Sequence, residues 1–257
     1  MKSQLSRYTD IVGDAAGGSA MNALLPPVCP VSNEEIAIAG AVGPSGWASL
    51  QFIAAPYCAH CGIPFAAEYG AGVLCPSCIA APPDFDRARA AVLYDDASHN
   101  LIVGFKHSDR TELAPMFAQW MTGAGRGLIN STSVLMPVPL HPRRLAARRY
   151  NQSLLLAARI ADTIHARLVV GDLVRRRATP PQKELSADAR RRNVAGAFGL
   201  AKGAAARVKN AHIILIDDVL TTGATLSSAA RTLKKAGATR VDALVLARVV
   251  KGGIGAI

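Results

Sequence analysis

Asp217 and Asp218 are adjacent carboxylates behind four apolar residues, Ile213-Ile-Leu-Ile216, and a short way before Thr221, Thr222, Gly223, Ala224 and Thr225. Three hydroxyls and a glycine at the start of a helical pattern can hold a phosphate dianion. The glycine lets the backbone approach closely, and a helix amino end presents free N–H groups. The paired acids upstream can accept hydrogen bonds from sugar hydroxyls or face a magnesium ion. The chemistry indicated is therefore recognition of a phosphorylated polyol. An apolar strand ending in two acids also occurs in P-loop nucleotide hydrolases, but the chain contains no Gly-x-x-x-x-Gly-Lys-Ser/Thr.

A second constellation is Cys58-Ala-His-Cys61 with Cys75-Pro-Ser-Cys78. Each Cys-x-x-Cys forms a tight knuckle that aims two thiolates at one ion, and two facing knuckles complete a tetrahedral sulfur shell that favours structural zinc. His60 lies inside the first knuckle and is surplus to a full shell. The fifth cysteine, in Cys29-Pro-Val-Ser32, has half the spacing of a knuckle, and Gly43-Pro-Ser-Gly46 has that spacing with no cysteine. This stretch reads as a decayed first ribbon that holds no metal, followed by an intact one.

A third group is arginine-rich. Arg143, Arg144, Arg148 and Arg149 follow the apolar run Val134–Val138, and Arg175–Arg177 and Arg190–Arg192 flank a proline-containing stretch. Guanidinium groups engage phosphate oxygens in pairs, which suits pyrophosphate. From His141 to Asn193 there are thirteen Lys or Arg against four Asp or Glu, a local +9 of the chain's +11. Such a block serves a polyanion, a nucleic-acid track or a solvated surface. Arg143, Arg144, Arg177 and Arg190 are the candidates for pyrophosphate or for a flap over it. Lys106 stands near enough in sequence pattern to a strand to be considered, although a lone lysine there is usually only exposed.

These residues need rigid elements behind them. Ile213–Ile216 and Val134–Val138 read as strands buried on both faces of a parallel sheet. Leu226, Ala229, Ala230 and Leu233 give one amphipathic helix, and Leu154, Leu155, Ala158, Ile160, Ala161 and Ile164 give another. In such a sheet ligands bind beyond the carboxyl ends of the strands, so the loops after both strands are expected on one edge. At 257 residues with half of them hydrophobic, the chain suits one α/β domain plus a small module. Expected divisions are a disordered 1–23, a ribbon region 24–84 with its metal-binding half at 56–80, and an α/β domain at 85–257. Residues 175–193 are read as a long basic loop. The uncharged stretch 36–56 is broken by Gly40, Gly43, Pro44 and Gly46 and does not read as a membrane span. No secretory signal is visible near the start, so a soluble cytoplasmic protein is expected.

Residues 213–225 resemble the phosphoribosyl-pyrophosphate (PRPP) signature of type I phosphoribosyltransferases. The zinc ribbon before it, with Met136-Pro-Val-Pro-Leu-His-Pro-Arg-Arg144, Arg148-Arg-Tyr-Asn-Gln152, Arg177-Ala-Thr-Pro-Pro-Gln182 and Arg192-Asn193, resembles the ComF (competence protein F) family. The resemblance implies a type I phosphoribosyltransferase-like parallel sheet flanked by helices, with a small amino-terminal zinc ribbon. It implies that Asp217 and Asp218 hold the ribose hydroxyls of PRPP–Mg²⁺ and that Thr221–Thr225 wrap its 5′-phosphate. It also implies a link to single-stranded DNA and to other DNA-uptake proteins. Two classes of function follow. One is an enzyme that transfers phosphoribosyl groups and releases pyrophosphate. The other is a non-catalytic PRPP-binding module that binds single-stranded DNA through its basic surface.

Overall fold

The computed structural model describes residues 26–38, 40–107, 110–148, 150–178 and 187–250. The predicted disordered segment 1–23 lies outside them. So do residues 179–186 of the predicted basic loop, and nothing is described for the side chains of Arg143 and Arg190.

Five strands form one parallel sheet in the order β1 (Ala88–Leu93), β7 (Arg240–Arg248), β6 (His212–Leu220), β2 (Ser133–Pro137) and β3 (Arg167–Leu168). The apolar runs at its centre carry alternate residues to opposite faces, as a period of two requires. Ile214 and Ile216 join a core with Leu101, Phe105, Phe117, Leu156 and Ile160. That face is covered by α3 (Asp96–His107), α4 (Ala114–Gly125) and α6 (Gln152–Ile164). Ile213 and Leu215 join the other core, with Leu226, Ala229 and Leu233 of α9 (Ala224–Lys235) and with all four ribbon cysteines. The expected stripes of α6 and α9 are buried, except that Ala158 and Ile164 are only half-buried, and Leu156 and Ala157 face inward beside Ala158.

The basic segment is more ordered at its ends than a loop. It begins in β4 (Leu173–Arg175) and ends in α7 (Ala187–Val194), and β5 (Phe198–Leu200) returns antiparallel to β4. Phe198 therefore returns to a separate two-stranded sheet and not to the main one. The physical reason is local. Val194 is buried, and Ser228 Oγ on α9 donates to its carbonyl at 2.7 Å, which fixes α7 onto that helix. The short helices α1 (Pro44–Ser49), α2 (Pro76–Ala80), α5 (Pro142–Arg148) and α8 (Ala205–Val208), with a 3₁₀ turn at Thr111–Leu113, complete the elements of the described residues.

The ribbon is bolted to the sheet. Residues 51–53 run antiparallel along the free edge of β1, with Ile53 N–H to Ala91 O at 2.9 Å and Leu93 N–H to Gln51 O at 2.8 Å. Ala88 N–H donates to His60 O at 2.7 Å. Beside it Gly62 has φ +70, and a β-carbon there would lie 2.4 Å from the Ala88 carbonyl oxygen. Gly62→Ala is expected to destabilise by about 2–4 kcal/mol, since backbone strain and a clash with a paired strand add. Gly70→Ala is the control. It shares a positive φ of +87 but has nothing within 4 Å, so urea denaturation should show a loss of only about 1 kcal/mol. Equal losses at the two positions would mean that ribbon and strand are not in this contact.

Around Cys29 the positions of the missing ligands converge without sulfur. The backbone N–H groups of Ser32 and Gly43 point at Cys29 Sγ at 3.5 and 3.3 Å, and a β-carbon on Gly46 would lie 2.7 Å from it. Glu34 takes over the cross-link, accepting from Ser45 N–H at 3.2 Å and from Ser45 Oγ at 2.6 Å.

Candidate functional site

From β2 the chain moves outward to β3, and from β6 it moves outward in the opposite direction to β7. The carboxyl ends of β2 and β6 thus flank the point where strand order reverses, where doubly wound sheets open a crevice for ligands. Pairing of β6 with β2 stops at Ile216, the partner of Pro137, followed by one bond from Val138 N–H to Ile216 O at 2.9 Å. Pairing with β7 runs on to Leu220. Asp217 and Asp218 therefore lie within β6 and not beyond its end, as the sequence pattern had suggested. They are held on one side by β7 and open on the other.

Asp217 Oδ1 accepts from Ser153 Oγ and from the Asp218 backbone N–H, both at 3.0 Å. Although part of its surface reaches the crevice, atoms packed around the carboxyl disfavour its charge. Burial first and the Asp218 charge second push its pKa up to about 7. Asp218 pairs with Lys106 Nζ at 3.1 Å, with both side chains mostly enclosed. Lys106 is thus a site residue and not a solvated one. It ends a helix, α3, where the sequence pattern read a strand, and that direction carries it to the crevice.

The Tyr150-Asn-Gln152 motif explains how. Tyr150 Oη donates to the Phe105 carbonyl and Gln152 Nε2 to the Lys106 carbonyl at 3.1 Å. Asn151 caps α6, accepting from Ser153 N–H at 3.1 Å, while its Nδ2 donates to Val138 O at 3.2 Å. Three consecutive side chains clasp the end of α3, start α6 and hold the loop after β2. Tyr150→Phe leaves a buried carbonyl short of a donor and is expected to lower stability by about 1–2 kcal/mol. Chemical denaturation measures this, and Tyr150→Phe combined with Gln152→Leu should cost about the sum. A double variant as stable as the parent would show that the clasp holds nothing.

On the far side of the crevice, Gly223 has φ +77, and α9 begins behind it with no side-chain cap. Its first N–H groups face the loop of Thr221 and Thr222, both exposed, and half-buried Thr225. The cationic residues divide. Arg175 is nine-tenths buried and close to Asp217. Burial and then the charge of Arg144 hold its pKa below the usual guanidinium range, and Asp217 opposes this. Half-buried Arg144 therefore stands near the crevice. Arg177 is exposed and donates to the carbonyls of Asn193 and Ala195 at 2.9 and 2.8 Å, closing the β4–β5 hairpin. Arg175, Ser153 and Lys106 are the residues that sequence reasoning left out of the site. Arg175 was signalled only by its triplet, Lys106 was considered but set aside as exposed, and Ser153 carried no signal.

The ribbon sulfurs of Cys58, Cys61, Cys75 and Cys78 all lie within 4.8 Å of one another, and Cys61 and Cys75 are 3.7 Å apart. Zinc–sulfur bonds of about 2.3 Å give a tetrahedron with edges of about 3.8 Å, so the set fits that ion. Hydrogen bonds from Cys61 and from the Cys75 N–H bring the Cys58 thiol down to about 4, while burial pushes Cys78 up to about 12. Four such groups ionise together only around a cation. Arg248 at the end of β7 donates to Cys61 O at 2.6 Å and to Cys61 Sγ at 3.3 Å. His60 is no ligand; its Nε2 meets the Phe85 carbonyl at 2.6 Å.

Residues 151–253 match the phosphoribosyl transferase domain family and residues 20–79 the double zinc ribbon domain. The chain is 31% identical over 198 residues to the DNA utilization protein YhgH of Escherichia coli O6:H1, covering 75% of this chain and 84% of that one. The chain belongs to the ComF family. A further member, competence protein F of Haemophilus influenzae, is 29% identical over 204 residues, 75% of this chain and 85% of its own. Among solved structures, the allosteric regulatory enzyme of purine biosynthesis aligns over 56% of this chain and 30% of its own, with a TM-score of 0.37 and 18% identity. The family's pairing of a zinc ribbon with a phosphoribosyltransferase-like parallel sheet is the architecture described above. Among the described residues no helix is long and apolar enough to cross a membrane.

Proposed function

We propose that the protein binds PRPP with Mg²⁺ in the crevice between β2 and β6 and takes part, in the cytoplasm, in handling incoming single-stranded DNA. The observation that supports this reading best is the acid pair at the switch point, followed in the chain by an uncapped helix start behind Gly223. In it, Asp217 and Asp218 accept the ribose hydroxyls. Thr221, Thr222, Gly223, Ala224 and Thr225 receive the 5′-phosphate. Arg144 and Arg175 face the pyrophosphate, with Arg143, Arg177 and Arg190 as the flap candidates. The magnesium ion arrives with its substrate and screens the pyrophosphate charge. Cys58, Cys61, Cys75 and Cys78 hold one structural zinc.

The enzymatic form of this reading transfers the ribose 5-phosphate group to a nitrogen nucleophile. The bond from C1 of the ribose to pyrophosphate breaks, a C1–N bond forms, and the nucleophile gives up a proton. Positioning and charge stabilisation would carry the catalysis. The test is incubation with PRPP, Mg²⁺ and a panel of bases while pyrophosphate release is followed. Release that depends on one base establishes transfer. PRPP binding without release leaves the non-catalytic module, whose support is the Lys106–Asp218 pair and Ser153, which already occupy both acids. The link to DNA rests on the names of the relatives and on the basic surface. If that surface tracks phosphates, affinity for single strands falls with salt, with a log–log slope of about −0.7 per contact.

A further inference from the structure

Among the described residues the basic block offers no exposed Phe, Tyr or Trp ring, because Tyr150 is buried, and neighbouring Phe198 is buried too. Exposed aromatic surface lies elsewhere. Trp47 on α1 is 51% exposed and Phe52 37%, with their rings 4.7 Å apart and tilted by 31°. Trp120 on α4 supports Phe52 edge-on at 5.1 Å and packs on core Phe117 at 5.5 Å. Across an open groove of about 410 Å³, Tyr57 carries the Arg89 guanidinium over its ring at 4.3 Å. Arg89 is fixed there by hydrogen bonds to Ala59 O and Ala88 O at 3.2 and 2.7 Å. Ala90, Ala91, Gly123 and Ala124 also line it, with exposed Gln119, and no carboxylate is among the described lining residues. The groove lies on the β1 edge, away from the crevice between β2 and β6.

We propose that this groove binds unpaired nucleobases of single-stranded DNA, stacked against Trp47 and Phe52 on one wall and the Arg89–Tyr57 pair on the other. The inference rests on the DNA half of the reading above and gives it a place. Flat rings with a cation and no anion suit a neutral aromatic base on a polyanionic strand. A net charge of +11 favours that strand. The same charge opposes a second copy of this chain in the groove, since the copy would bring another +11.

The chain's two tryptophans, Trp47 and Trp120, both line the groove, so intrinsic fluorescence reports on it directly. Oligo-deoxythymidine is expected to quench this fluorescence, whereas an abasic strand of equal length binds by charge alone and does not. Trp47→Ala should weaken oligo-deoxythymidine by about ten- to hundredfold with the salt slope unchanged, because stacking and not ion pairing is lost. Gly123→Leu tests the same point without removing a contact. A β-carbon there meets nothing within 4 Å, so the leucine adds bulk to the groove lining without a clash. Full-affinity binding by fluorescence anisotropy, with no quenching and with both variants unaffected, overturns the groove and leaves the DNA reading standing. No binding of any strand at low salt removes both. Quenching that grows with protein concentration in the absence of DNA means self-association, and that also overturns the proposal.

Discussion

Replacing Asp217 and Asp218 together by asparagine is expected to weaken PRPP–Mg²⁺ binding by two to four orders of magnitude. Each proposed carboxylate–hydroxyl bond is charge-assisted and contributes about 1.5–3 kcal/mol. The fold should survive, because an asparagine amide oxygen at 217 can still accept from Ser153 and from the Asp218 N–H. Titration calorimetry on the double variant is the direct measurement, and unaltered affinity would refute the ribose assignment. The raised pKa of Asp217, about 7, adds a pH signature. A carboxyl whose folded pKa lies above its unfolded value binds more protons in the folded state. Its favourable contribution to stability is complete below about pH 4 and is lost as pH rises towards 7. Ligand binding through the anion runs the other way, so PRPP affinity should climb between about pH 6 and 8. Asp217→Asn alone should flatten the stability profile over the same range and leave the variant more stable than the parent at pH 8.

Removing zinc should do more damage than a detachable ribbon would allow. The four cysteines share a core with Ala90, Ile213, Leu215 and α9, and structural zinc contributes its binding energy, about 10–16 kcal/mol in small peptides, to folding. Chelation or Cys75→Ser is expected to lower stability by on the order of 5 kcal/mol or more. Metal analysis should find one zinc per chain. The effect should also reach the phosphate loop. Phe85, whose carbonyl meets His60, lies 3.4 Å from where a Gly223 β-carbon would sit, and Arg248, which meets Cys61, pairs with Leu220. PRPP affinity should therefore fall in chelated protein that is still folded. Thermal unfolding and calorimetry with and without chelator check both points. A chelated protein with unchanged midpoint and affinity would show the ribbon to be an independent appendage.

The central strands, α6, α9 and the cysteine knuckles were legible because each is written in local sequence: an apolar run, a helical stripe, a fixed spacing. The acids of 217 and 218 were legible as a pair but were placed one step late. The strand pairs unequally with its two neighbours, and that inequality is a tertiary fact. Lys106, Ser153 and Arg175 were not legible as a group, since β6 lies 64 residues from Ser153 and further still from Lys106 in the chain. What brings Lys106 and Ser153 together is the clasp of Tyr150 and Gln152, whose acceptors are backbone carbonyls without sequence identity. The aromatic groove was hidden for the same reason: Trp47, Phe52, Tyr57 and Trp120 belong to three segments that meet only on the edge of β1.

The partner of β1 is β7, with Ala88 opposite Ala243, a separation of 155 residues (243 − 88). As the chain is synthesised, β1 has no neighbour within the main sheet until the last strand emerges. The ribbon, by contrast, closes over residues 58 to 78 and can form at once around its ion. Folding on the ribosome is therefore expected to begin with the ribbon and the local unit β2–α6–β3, with β1 pairing only once β7 has emerged. Long-range pairing of this kind is slow and leaves an apolar edge, Ala90 to Leu93, open to other chains in the interval. The strip of residues 51–53 is made before β7 and covers the opposite, outer edge of β1, so the ribbon region leaves β1 only one side exposed to other chains while it waits for its final strand.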